Sequence, residues 1–494
     1  MKHIIFPVVA LCAAAMCHAK GGFFRSVLHS AVDSAVNTTV NTVLQPQQQA
    51  QPEPVQQQPV AQPVAQPVAA PQPAAAPVPQ PALAPAAPAP AAQPAAPAVD
   101  ASAFANARTA SANTAEPEYS YGRIEFTKCA TPEQIDAARA KMVADKRDPE
   151  SAKLIFRVNK KVDPNGPDYA TLAAACAKFP EAQTVQIDEC PGITSIAPLA
   201  LMVNATRIKV SNFKNLDISP LSGLVKLELL EFMYSEIADL SPIGALPKLK
   251  KVDFYGAVLN DFSPLAGCPS LDEVYFYAAK LPPENYATLG NLKQVKKFHG
   301  GLTKMTSIAW LAQVPQAEEL VIFAEKIADL SPLAGATNLK YLRVWSFDGG
   351  SMAPVLGDLS LLANLKNLET LELPSSSYSN LAALGGLTKL RKIDLSGAKA
   401  PLDLSFVRSL PALEELDVSS PAGAVANFEA LFGHPALKEV NLKKAGSVKS
   451  IAGLAQCPAL KSATVSKGVF PAEEVAALNA ALQARGKYNK VREY

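Results

Sequence analysis

The sequence predicts an α/β repeat solenoid with helical caps, set behind a long non-globular N-terminal region. Three observations carry this. An apolar phrase, Leu-x-x-Leu-x-Phe with any apolar residue in the slots, returns at a step of 22 or 23 residues almost throughout residues 183–466. A second phrase, built on Asp-x-Ser-Pro, follows several of these copies at a fixed offset. The 42 prolines are not spread evenly and crowd the N-terminal part.

The chain opens as an export signal. Lys2 gives a positive start, residues 4–16 form an apolar run, and Cys17-His18-Ala19 places small residues before a cut after Ala19. This predicts a signal peptide over residues 1–19. The run is too short to span a bilayer, and no other stretch is long enough. In residues 20–44, Phe23, Phe24, Val27, Leu28, Ala31, Val32, Ala35 and Val36 fall on one face of a short amphipathic helix that could self-associate or lie on a membrane. Residues 45–117 are Pro-, Ala- and Gln-rich. Proline lacks the backbone donor and fixes φ, so this segment is expected to be disordered and polyproline-like. Its first 55 or so residues would reach on the order of 170 Å at ~3.1 Å per residue.

Globular composition begins at residue 118. Thr131-Pro132-Glu133-Gln134 reads as a capping box with proline in the first turn, opening a helix. Residues 154–158 alternate as a strand, and residues 168–178 read as a second helix. Together residues 118–182 make an N-terminal α/β cap.

The repeat proper supplies about thirteen strands. Clear copies stand at Leu227/Leu230/Phe232, Leu249/Val252/Phe254, Leu271/Val274/Phe276, Leu339/Leu342/Val344, Leu368/Leu371/Leu373, Leu390/Ile393/Leu395, Leu413/Leu416/Val418 and Leu437/Val440/Leu442. The longest step, 29 residues from Leu339 to Leu368, points to an insertion at residues 349–359. The Ser-Pro pairs at Ser219, Ser241, Ser263 and Ser331 predict a serine cap followed by a short 3₁₀ turn. A period of 20–29 with this leucine spacing is the leucine-rich repeat signature: a parallel concave β-sheet backed by short 3₁₀ or helical turns on the convex side. Each unit has an apolar face that it buries only by stacking on its neighbours, so the ends need caps. Residues 467–494, with a helix over 471–485 closed by Gly486, form the C-terminal one.

The strand phrase together with Asp239-Leu240-Ser241-Pro242-Ile243 and its copies at Asp217, Asp261 and Asp329 resembles the internalin type of bacterial leucine-rich repeat over residues 183–466. The resemblance implies a curved parallel sheet that grips a protein partner. The sequence departs from that pattern in two ways. The usual Asn after the strand is replaced by Ser235, Ala257, Ala279 and Glu325, and there is no wall-sorting tail.

Side chains alternate along a strand. With Val252 and Phe254 facing the core, Asp253 and Tyr255 face the concave side. The same parity puts Met233, Tyr255, Tyr277, Gly301, Phe323 and Trp345 in one outward row, roughly 25 Å long at ~4.8 Å per strand, beside Glu231, Tyr275, His299, Val321, Tyr341 and Arg343. Large exposed apolar patches mark interfaces, and Tyr, Trp and Arg are favoured at binding hot spots. The expected partner-binding residues are Met233, Tyr255, Tyr275, Tyr277, Phe323, Tyr341, Arg343 and Trp345. The opposing reading is that the rings pack on one another and stiffen the sheet.

Other functions find less support. A net charge of +2 gives no electrostatic case for nucleic acid. Beyond the signal there are three histidines, His29, His299 and His434, and no metal-ligand spacing, phosphate loop or paired nucleophile. No catalytic, cofactor or metal site is therefore expected, and His434 is expected to be packed. Cys268 and Cys457 share one core slot eight repeats apart and cannot pair, whereas Cys176 and Cys190 lie in or beside the N-terminal cap and could be bridged. The resulting expectation is an exported protein, whether secreted, at the cell surface or periplasmic, that binds a protein on its concave sheet. The alternatives are an envelope spacer assembling through residues 20–44, and carbohydrate binding by the rings.

Overall fold

A computed structural model describes residues 114–494 except 160, 162, 302–303, 324–326, 328 and 346–354. The export signal, the amphipathic segment, the spacer up to residue 113 and Glu325 lie outside the described residues. The fold begins earlier than expected: Ala115 N donates to Cys129 O at 2.9 Å, and Pro117 is buried.

Two full α-helices lead. α1 (Pro132–Ala144) carries the expected capping box: Gln134 N donates to Thr131 Oγ1 and Thr131 N to Gln134 Oε1. It buries Ile135, Ala138 and Met142, one face at helical spacing. α2 (Tyr169–Lys178) is capped by Asp168, whose Oδ1 accepts from Thr171 N at 2.8 Å. Each helix joins two parallel strands, Arg123–Phe126 to Lys153–Arg157 and Lys153–Arg157 to Thr184–Asp188. The cap is thus continuous with the repeat sheet. Its outer edge is covered by Glu118–Ser120, which pairs antiparallel with the first of these strands.

The sheet has 17 strands among the described residues, and every pairing except that first one is parallel. This is the leucine-rich repeat solenoid. The last strand, Lys490–Glu493, was not anticipated. It follows α3 (Ala472–Arg485) and extends the sheet beyond Ser462–Val465.

The core follows strand parity. Leu230 and Phe232, Val252 and Phe254, Val274 and Phe276 are all fully buried. Phe232, Phe254, Phe262 and Phe276 contact in sequence, each pair of ring centroids 5.9 Å apart. Phe276 occupies the space that a side chain at 300 would need: a Cβ on Gly300 would collide with its ring.

The convex turns are 3₁₀, including Ser219–Leu221, Ser241–Ile243, Ser263–Gly267 and Ser331–Gly335. The cap differs from expectation. Serine is the first turn residue, not the cap. The aspartate two residues earlier accepts from its N–H, at 2.9 Å for Asp217, 2.8 Å for Asp239, 2.7 Å for Asp261 and 2.8 Å for Asp329. A carboxylate accepts the orphan N–H more strongly than a hydroxyl would, and the serine hydroxyl first, then this N–H, hold the acids of Asp239 and Asp329 below their usual range.

The missing Asn is replaced in two ways. Ser235 is buried; its Oγ accepts from Phe213 N and donates to Met233 O, both at 3.2 Å. Where alanine stands, backbone bonds suffice: Lys280 N donates to Ala257 O at 2.8 Å. Short parallel pairs such as Glu236–Ile237 with Val258–Leu259 continue this pattern. Part of the expected insertion also belongs to the repeat architecture, for Val355–Asp358 pairs with Ser377–Ser379 and Leu359 opens a 3₁₀ turn with its side chain buried.

None of the five described cysteines forms a disulfide, and all five are buried. Cys176 and Cys190 are therefore not bridged, contrary to expectation. Burial raises the Cys176 thiol and pushes Cys190 up to about 12, and Cys190 Sγ donates to Asp188 O at 3.3 Å. Cys268 and Cys457 are core residues, each donating its thiol to the backbone of the preceding repeat. His434 is packed as expected. Its Nε2 meets Leu410 O at 2.9 Å, and burial lowers its pKa.

Candidate binding face

Outward-facing side chains form rows across the open face of the sheet, fixed by its register. The middle row runs Lys209, Glu231, Asp253, Tyr275, His299, Val321, Arg343, Glu372, Asp394, Asp417, Asn441. The row beyond it holds Met233, Tyr255, Tyr277, Gly301, Phe323 and Trp345. Their alignment past the ends of the shorter strands is carried by Tyr234 N to Tyr255 O, Gly256 N to Tyr277 O and Ala278 N to Gly301 O. All eight expected binding residues lie on this face.

Their exposure departs from expectation. Met233 is only 6% exposed and Phe323 only 4%, while Tyr255, Tyr275, Tyr277, Tyr341, Arg343 and Trp345 are half-buried. The rings lean on neighbours instead of standing free. Tyr234 and Tyr255 meet edge to face at 5.3 Å, Phe323 and Trp345 do the same at 5.3 Å, and Tyr275 stacks on His299 at 4.4 Å. Gly301 is the floor of this packing: a Cβ there would collide with Tyr277 and come within 3.5 Å of Trp345. Burial pushes the Tyr277 hydroxyl up to about 12.

Charge is built into the same patch. Lys251 Nζ sits 3.7 Å from the Tyr275 ring centre, and the Arg343 guanidinium 5.3 Å from that of Trp345. Glu372 gathers three neighbours: Lys392 at 2.8 Å, Arg343 at 3.4 Å and the Tyr341 hydroxyl, which donates to it at 3.1 Å. His299 Nε2 lies 3.3 Å from Glu319, whose acid is lowered first by that bond.

Sequence reasoning missed two features. Asp253, Asp394, Asp417 and Asn441 each accept from the N–H two residues on, at 3.0, 2.8, 2.8 and 3.1 Å. These bonds turn the chain at the ends of three-residue strands, a length that Glu273–Tyr275, Lys297–His299 and Thr370–Glu372 reach without them, whereas Leu229–Met233, Glu319–Phe323 and Tyr341–Trp345 have five residues. The recurring Asx at one register position was the available signal. The second is an ion-pair ladder at the sheet margin. Glu228, Lys250, Asp272, Lys296, Glu318 and Lys340 alternate in sign from repeat to repeat, with Lys250–Glu228 at 2.9 Å, Lys296–Glu318 at 3.3 Å and Lys340–Glu318 at 2.6 Å.

Among the described residues no cluster of His, Cys, Asp and Glu is placed to hold a metal ion, and no helix is long and apolar enough to cross a membrane. No protein-family model matches the sequence, nor does a curated relative. Solved structures do. An internalin (inlF) from Listeria monocytogenes is 24% identical, over 59% of this chain and 82% of that one, with a TM-score of 0.46. A leucine-rich repeat protein of Leptospira interrogans is 12% identical over 69% and 90%, at 0.39. The leucine-rich repeat ectodomain of an Arabidopsis thaliana receptor kinase, in complex with Casparian strip integrity factor 2, is 15% identical over 69% and 45%, at 0.41.

Proposed function

We propose that this is an exported protein that binds a protein partner on the open face of its sheet and catalyses no reaction. The observation that carries the reading is the outward-facing group Tyr255, Tyr275, Tyr277, Tyr341, Arg343 and Trp345, half-exposed on one face of the sheet and held in place by neighbouring rings and by Glu372. Rings already fixed by their neighbours lose little side-chain entropy on contact, and Tyr, Trp and Arg dominate binding energies where water is excluded. Phe323 supports Trp345 edge to face. Export rests on the N-terminal sequence alone.

The test begins with a partner captured by residues 114–494 from culture or envelope fractions and identified. Tyr277→Ala and Trp345→Ala should each weaken its binding by about 2 kcal/mol or more in calorimetry. Their melting midpoints should fall less than that of Phe254→Ala. Melting losses equal to that of the core variant, with affinity unchanged, would assign the rings to the sheet and remove this reading.

A further inference from the structure

The open face is polar along the solenoid axis. Over its first strands the outward positions carry five cations, Arg123, Lys153, Arg157, Arg207 and Lys209; Arg123 and Arg157 share Glu125, Lys209 pairs with Asp188 and Arg207 with Glu231, which leaves the cations in excess. Lys153 and Arg157 are exposed. Past the aromatic centre the sign changes. The strands Lys392–Asp394, Glu415–Asp417 and Glu439–Asn441 present Asp394, Glu415, Asp417 and Glu439, and their one lysine, Lys392, is engaged by Glu372 at 2.8 Å. Asp394 and Asp417 are register neighbours, and burial first, then the Asp417 charge, raises the Asp394 acid above its usual range. The following strand is neutral outward at Ser462 and Thr464 before Lys490 and Arg492 at the end. The marginal ladder alternates in sign and so does not cancel this separation.

We infer that the partner is an elongated protein segment of opposite polarity, with an acidic stretch over the strands around Lys153 and Arg157, a basic stretch over those around Glu415 and Glu439, and uncharged side chains on the rings between. This rests on the binding reading above. Charge of this arrangement fixes orientation and selects against segments of the wrong polarity. The reach is set by the register. Eleven strand pairings separate Lys153–Arg157 from Glu415–Asp417. At ~4.8 Å each that is about 53 Å, or roughly 16 residues of extended chain.

The probe is a synthetic peptide of four glutamates, about sixteen uncharged residues and four lysines, titrated into the full chain at low ionic strength, where such contacts are least screened. It should bind at least about tenfold more tightly than an isomer with the same charges alternating. Lys153→Glu with Arg157→Glu, and separately Glu415→Lys with Glu439→Lys, should each weaken it about tenfold. The four changes together should restore binding, because the peptide then lies the other way round, and a misfolded variant would show no such rescue. Equal affinity for block and alternating peptides, or a fourfold variant as weak as either double variant, overturns the inference. If those results come with a captured partner that still depends on Tyr277 and Trp345, the binding reading stands and only the polarity falls. If the charge effects hold while the ring changes do nothing, the reverse is concluded.

Discussion

Asp253 does two opposed jobs. Its Oδ1 accepts from Tyr255 N at 3.0 Å and ends the strand, yet it is 8% exposed and its register neighbour is Glu231. Burial first, and then the Glu231 charge, push its acid up to about 6, against weaker pulls from Lys251 and Lys209. A folded pKa above the unfolded one means the folded state holds the proton more tightly. The benefit is complete below the unfolded value near 3.8 and is lost as pH rises through about 6. At neutral pH the ionised group then costs the fold about 2–3 kcal/mol. Asp253→Asn keeps the acceptor and removes the charge. It should raise the unfolding free energy at pH 7.5 by up to about 2 kcal/mol and by much less at pH 4. An equal gain at both pH values in urea titrations would show that the charge is not the source. Such residue-level detail was only partly legible. The outward parity of Asp253 could be read from Val252 and Phe254, but the charge beside it comes from Glu231 on the neighbouring strand, and no local pattern encodes that.

At the scale of the repeat, legibility follows periodicity. Inward Leu, Val and Phe recur every 22 residues or so because each must fill the same slot against its neighbour, and the strands stand where that spacing puts them. The serine of Asp-x-Ser-Pro was misassigned because hydroxyl caps and carboxylate caps share the same short sequence window, and only geometry tells which oxygen reaches the N–H. The strands added at the two ends of the periodic region were missed for a related reason: Arg123–Phe126 and Lys490–Glu493 join the sheet through α-helical crossovers, which carry a different spacing. The phenylalanine series gives the repeats a shared interior. Phe254→Ala should cost about 3–5 kcal/mol, since Phe232 and Phe262 cannot both collapse into the void. Gly300→Ala should cost comparably through overpacking, because the Phe276 ring must leave its place. By contrast Glu318→Lys, which sets Lys296, residue 318 and Lys340 in a run of like charge, should cost at most about 1 kcal/mol and be suppressed by salt. Chemical denaturation in urea at two salt concentrations orders the three; a salt-independent loss at 318 would assign that side chain a packing role.

Across the whole solenoid, stability is close to a sum over neighbouring units, so the ends decide where unfolding starts. α3 closes the C-terminal end. It packs on the 3₁₀ turn Ala452–Gln456 and buries Leu478 and Leu482. Glu474 accepts from Ile451 N at 2.8 Å and from Ser450 Oγ, Arg485 donates to Cys457 O at 2.7 Å, and Asn479 accepts from Val491 N at 2.9 Å. Removing residues 467–494 would strip these partners and leave Ser462–Val465 as an unpaired edge over Leu454 and Leu460. The loss should stay local. Amide exchange in the truncated chain should quicken most in the strands Glu439–Asn441 and Ser462–Val465, less in Glu415–Asp417, and little in Leu229–Met233, because each unit reports mainly on its neighbours. The full-length chain gives the reference rates. Uniform acceleration from Thr184–Asp188 to Ser462–Val465 would mean instead that the solenoid opens as one cooperative block. In that case the phenylalanine series and the marginal ladder would couple units over distances longer than one repeat.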